Sequence, residues 1–157
     1  MFDFIPAAHA QVPAGAVTPP PPGILEMLLP FLVVLAVFYF AAGVIHLMKP
    51  APFLTIMPPW VPAPEAVVLW TGVAEILGAI GLAQPVSKPL RQAAGWGLAL
   101  YALCVWPANI NHFALDMART DGGLGLAYHV PRMIAQPVII WLALWVAECL
   151  PLRRKPA

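Results

Sequence analysis

The sequence is poor in charge. Lys and Arg number 8 and Asp and Glu 7, so 10% of the 157 residues are charged, against about 25% in an ordinary soluble domain. Net charge is +1, and the few basic residues sit beside apolar segments rather than in a stripe, which excludes an electrostatic nucleic-acid interface. Cysteine is scarce too. Cys104 and Cys149 are the 2 cysteines, and without a C-x-x-C there is neither a disulfide framework nor a thioredoxin-type motif. Cys104 falls in mid-span, where a small buried apolar role is expected. Cys149 falls near the opposite membrane face, too far away to pair with it. The opening residues lack a basic n-region and a compact apolar core before Ala8-His9-Ala10. They are expected to form a retained tail rather than a cleaved signal peptide.

Long apolar runs and proline are what the chain has instead. It is 61% hydrophobic with 20 prolines, and its mean hydropathy is +0.82. A soluble domain this short has too little interior to bury that much apolar surface, so lipid is the expected solvent. The pattern predicts an all-α, four-helix transmembrane bundle with a Pro-rich N-terminal tail. The tail covers 1–23 and ends in Pro19-Pro20-Pro21-Pro22-Gly23, which favours extended polyproline II. The membrane domain covers 24–151, with spans at about 24–48, 65–84, 90–115 and 131–150. A basic tail, 152–157, follows.

Residues 50–64, PAPFLTIMPPWVPAP, carry too many prolines for a continuous helix yet stay apolar. This predicts an interfacial loop or a partly re-entrant lid, with Phe53 and Trp60 at headgroup depth. Gly43 in span one and Thr71, Ala74, Gly78 and Gly81 in span two provide small surfaces for close helix approach. Gly95, Ala99 and Ala102 do the same in span three. Four spans put both termini on one side. Lys88, Arg91, Arg153, Arg154 and Lys155 lie there, against Lys49, Arg119 and Arg132 opposite, so the positive-inside rule predicts cytoplasmic termini.

One carboxylate, Glu75, lies in the middle of span two. A charge at that depth needs a partner, a water-filled cavity or a bound proton. Comparing depths supplies candidates. His46 ends span one, Asn109 and His112 lie near the end of span three, and Arg132 and Gln136 begin span four. All approach from the side opposite the termini, while the other half of the bundle reads as Leu, Val, Ala and Trp. Glu75 fits a proton carrier or a ligand anchor, or else a structural carboxylate paired with His46 or Arg132. His46 fits a proton partner or an interfacial histidine bonded to a carbonyl. Asn109, behind the kinking Pro107, fits a cap for the freed carbonyl or a bond to the next helix. Arg132 and Gln136 share a face at i,i+4 and fit either ligand contacts or a snorkelling arginine with a packing glutamine. His46 and His112 do not fix a facing that would hold haem. No zinc site is expected either, because no histidine–carboxylate ligand spacing is anticipated within one helix.

Taken in order, five motifs resemble the DoxX-like family of small four-span membrane proteins. They are Ala42-Gly43-x-x-His46-x-x-x-Pro50, Pro58-Pro59-Trp60-x-Pro62-x-Pro64, Gly72-x-x-Glu75-Ile76-Leu77-Gly78, Pro107-Ala108-Asn109 and Arg132-x-x-x-Gln136. The resemblance covers about residues 35 to 140. One departure is Met133-Ile134-Ala135-Gln136, where the family usually reads Leu-Pro-Leu-Gln. The resemblance implies a four-helix bundle, an accessory role in a membrane redox system with quinone as the ligand class, and His46, Glu75, Asn109, Arg132 and Gln136 as the site. The expected partners are the lipid bilayer and either a membrane redox protein or further copies of the chain. A small-solute or proton permeation protein and a purely structural membrane partner are the alternatives. No catalytic motif and no metal ligand set is expected.

Overall fold

The first long helix, α1 (Ile24–Met48), shows how the chain chooses its interior. Leu28, Leu32, Leu35, Ala36 and Tyr39 recur at three- and four-residue steps and are buried. Val33, Val34, Val37 and Phe40 on the outer side are exposed. A helix this apolar on its outer face needs lipid around it, since water would leave an apolar patch far larger than soluble proteins carry. In the computed structural model, which describes residues 23–150, four helices are long and apolar enough to cross a membrane. The protein is an all-α, multi-pass membrane bundle whose outer faces contact lipid. Except for Gly23, the tail expected over 1–23 lies outside the described residues, as does the basic tail 152–157.

After α1 come α2 (Ala51–Thr55), α3 (Pro64–Ala83), α4 (Lys88–Met117) and α5 (Leu126–Val146). Helix α1 packs on α3, α3 on α4, α4 on α5, and α5 closes against α1, while short α2 rests on α3. Two expected boundaries need correction. The fourth span begins at Leu126 rather than near Pro131, with Pro131 and Pro137 inside it, and it ends at Val146 rather than near Leu150. Pro131 is the sixth residue of the helix, past its first turn, so it leaves the Ala127 carbonyl without the usual donor, yet the helix runs on through it. The loop at 50–64 also contains one helical turn, α2, with prolines only at its start.

Lipid tails are as apolar as leucine, so helix association here depends on close packing. A Cβ built on Gly43 would lie 2.6 Å from the Gly72 carbonyl oxygen, so α1 and α3 touch backbone to backbone. Gly78 receives Leu98, Gly81 meets Ala94, and Gly95 receives Ala147. Gly43, Gly78, Gly81 and Gly95 are therefore contact points, with Gly72 as an addition, and Ala99 and Ala102 are buried. Ala74 faces outward and Thr71 is only half-buried, so the small face expected on span two is narrower than its spacing implied. Leu32, Leu35, Leu82, Leu98 and Val146 form the apolar core in the half nearer the termini.

That half is less uniformly apolar at its rim than expected. Glu148, just past α5, takes Lys88 Nζ at 2.7 Å and Arg91 Nη2 at 2.6 Å. Its backbone carbonyl accepts from Gln92 at 3.0 Å. Glu148 has φ of +57°, a left-handed conformation that normally favours glycine at a helix C-terminus. Its carboxylate clasps the start of α4 to the end of α5.

Candidate ligand pocket

The half opposite the termini encloses a cavity of about 550 Å³. Its walls are mainly apolar, with Phe38, Val67, Val68, Val105 and Ile139 among them. His46, Glu75, Asn109, Arg132 and Gln136 all line this one space, and Phe53 and Trp60 border it from the loop. The depth comparison thus placed these side chains in the right layer, and the helix rotations turn each of them inward.

Glu75 is 3% exposed. Tyr101 Oη donates to its Oε1 at 2.7 Å, and His46 Nδ1 lies 2.6 Å from its Oε2. The same Nδ1 lies 3.1 Å from the Ala42 carbonyl oxygen, one turn back on α1. The carboxylate is partnered by His46, not Arg132. Phe53 stacks on the His46 ring with centroids 3.7 Å apart and planes 27° from parallel, so the lid fixes the imidazole. Asn111 Nδ2 donates to the Ile56 carbonyl at 2.9 Å and ties the lid to α4. Trp60, 70% exposed, stands at the rim.

A second polar group sits where α4 and α5 face each other. Asn109 Nδ2 donates to Gln136 Oε1 at 3.1 Å, the bond to the next helix that its position suggested. Gln136 Nε2 donates to the Ala102 carbonyl, next to the Leu103 carbonyl that Pro107 leaves without its usual donor. Arg132 Nη1 bonds to His112 Nδ1 at 2.8 Å, and its guanidinium lies 5.6 Å from the Tyr128 ring centre. No carboxylate pairs with Arg132 among the described residues.

Tyr101 and Tyr39 carried no expectation, yet they complete the floor. Tyr39 stacks edge-on against Tyr101 at 6.1 Å, and its buried hydroxyl has no partner among the described residues. A mid-span tyrosine on the helix next to an intramembrane carboxylate was the available signal. Cys104 is exposed rather than buried and borders the cavity, because it falls on the opposite side of α4 from the Ala99 and Ala102 packing stripe. Both cysteines are free.

The expectation that no histidine–carboxylate pair occurs at ligand spacing needs correction as well. His112 and Asp116 stand at i,i+4, and His129 brings a third ligand atom within 4.8 Å of theirs. Their protons argue for a hydrogen-bonded clasp. Asp116 Oδ2 accepts from Leu124 N at 2.9 Å and contacts His129 Nε2 at 2.9 Å. Arg132 can only donate, so His112 Nδ1 accepts and its hydrogen sits on Nε2. Neither imidazole then turns a lone pair towards the carboxylate. The cluster orders the α4–α5 loop, where Gly123 has φ of +53° and packs on the Asp116 carboxylate.

Fold and site together define a four-span membrane protein with a carboxylate–histidine–tyrosine cluster at the base of a lipophilic cavity. The chain belongs to the family described as a domain of unknown function (DUF8561), whose model matches residues 35–147. No curated protein and no solved structure matches the chain.

Proposed function

We propose that this protein is a DoxX-like accessory subunit of a membrane redox system and holds a quinone-like amphipath in its cavity. The observation that carries this reading is the cavity itself. A volume of about 550 Å³ falls in the range of small-molecule sites, roughly 300–1,000 Å³. Its apolar walls suit a lipophilic body, and its polar groups converge at two places where ring oxygens can be bonded. Glu75 and His46 handle protons at the floor, while Arg132, Gln136 and Asn109 bond oxygens on the α4–α5 side. The partner is a redox enzyme in the same membrane or further copies of the chain. The protein resides in the cell membrane, and the basic residues around Lys88 and Arg91 keep the termini cytoplasmic.

Titration of the purified protein in mild detergent with decylubiquinone tests this. Saturable binding is expected, weakened about tenfold by Glu75→Gln through loss of a charged hydrogen-bond network. Ala135→Trp, which fills the cavity, should abolish it. Equal affinity in wild type and Glu75→Gln would remove Glu75 from the site. Reconstitution in liposomes separates binding from permeation. No flux above background is expected, because Leu32, Leu82, Leu98 and Val146 close the half nearer the termini.

A further inference from the structure

We infer that the cavity selects an occupant carrying a weakly acidic hydroxyl, such as an alkylated phenol, which donates its proton to a hydrogen bond with His46 Nε2. The inference rests on the pocket reading above and adds the hydrogen-bonding polarity of its floor.

The argument starts from Nδ1 of His46. Two acceptors face it, Ala42 O at 3.1 Å and Glu75 Oε2 at 2.6 Å. A lone pair on Nδ1 would be repelled by both, so Nδ1 carries the hydrogen. Its N–H is better aligned with the Ala42 carbonyl, and Oε2 acts as a close charge beside the ring. In the neutral imidazole, Nε2 then holds a lone pair, and it has no partner among the described residues. Phe53 stacked on the ring prevents it from turning that lone pair away.

Glu75 cannot easily take the occupant's hydroxyl itself. Its Oε1 is engaged by Tyr101, and its Oε2 is buried against His46. Its side chain is 4% exposed, against 12% for His46. Glu75 is therefore a positioning residue, which fixes the tautomer through its charge, and His46 is the group that meets the ligand. An ether oxygen at the same place would set its lone pairs against that of Nε2, and a quinone carbonyl is left to the Arg132 donors on the α4–α5 side. A hydroxyl forms a hydrogen bond there.

Two redox-inert probes of matched shape test the idea, 4-octylphenol and 4-octylanisole, whose methyl ether cannot donate. Wild-type protein in detergent should bind the phenol about tenfold more tightly, the value of one well-formed hydrogen bond. His46→Phe should bring that ratio close to one by weakening the phenol alone, and Glu75→Gln should reduce it. A merely structural role for His46 would weaken both probes together. Should His46→Phe fail to fold, 15N NMR of histidine-labelled wild type gives the same answer. An unprotonated Nε2 that shifts with the phenol and not the anisole is expected, and a protonated Nε2 would overturn the assignment. Equal or reversed probe affinities alongside Glu75-dependent decylubiquinone binding would overturn the hydroxyl assignment alone. No binding of any of the three compounds would overturn the pocket reading and this inference with it.

Discussion

Tyr101 on α4 donates its hydroxyl proton to Glu75 on α3 at 2.7 Å, which joins two neighbouring helices through a carboxylate in mid-span. Tyr101→Phe keeps the ring packing and removes this one donor. The expected cost is about 1 kcal/mol, in line with side-chain hydrogen bonds between membrane helices. It should appear as a lower unfolding midpoint in detergent. Tyr101→Phe combined with Glu75→Gln should cost less than the sum of the two, since the pair shares one bond. Full additivity would show that the hydroxyl and the carboxylate do not interact.

Gly43 and Gly72 test the packing of α1 on α3. Gly43→Val forces side-chain atoms against the Gly72 carbonyl, where even a Cβ would come within 2.6 Å. A loss of about 1–3 kcal/mol is expected, as for overpacked cores. Gly97→Ala is the control, because nothing lies within 4 Å of an added Cβ there. It should be neutral or stabilising by up to about 1 kcal/mol through helix propensity. Unfolding midpoints of the two variants, measured side by side, decide this.

Glu148 should make stability depend on acid. The Lys88 ammonium, and after it Arg91, hold its carboxyl below the ordinary glutamate range. A group ionised more readily in the folded chain contributes stability that is complete above its unfolded value. That stability is lost as pH falls through the lower folded value. Wild-type midpoints should therefore fall between about pH 4.5 and more acid solutions. Glu148→Gln should start lower at neutral pH and show a flatter acid decline. Parallel curves would place the acid sensitivity elsewhere.

Asp116→Asn removes the charge that holds the Leu124 amide and the His129 ring. Faster hydrogen exchange at Gly123 and Leu124 is expected, with a stability loss of about 1–3 kcal/mol for the buried partners left unpaired. Gly123→Ala should loosen the same loop by a second route, because an added Cβ would strike the Asp116 carboxylate. Unchanged exchange in Asp116→Asn would mean that the glycines alone set the loop.

Composition and pattern were enough for the class and for the layering. Apolar run lengths fix how many helices can cross, and a rise of about 1.5 Å per residue converts position into depth. Thus the sequence alone could assign His46, Glu75, Asn109, Arg132 and Gln136 to one half of the bundle. Depth does not give rotation about each helix axis, or which helices are neighbours. Those depend on packing, chiefly the approach of Gly43 to Gly72 and the seating of Leu98 at Gly78. Only the tertiary structure could therefore pair Glu75 with His46 and Tyr101 while giving Arg132 to His112. It also turned Cys104 outward and drew Asp116 and His129 together across a loop. Residue spacing along one chain sets height in the membrane, and contact between side chains on different helices is decided when those helices dock.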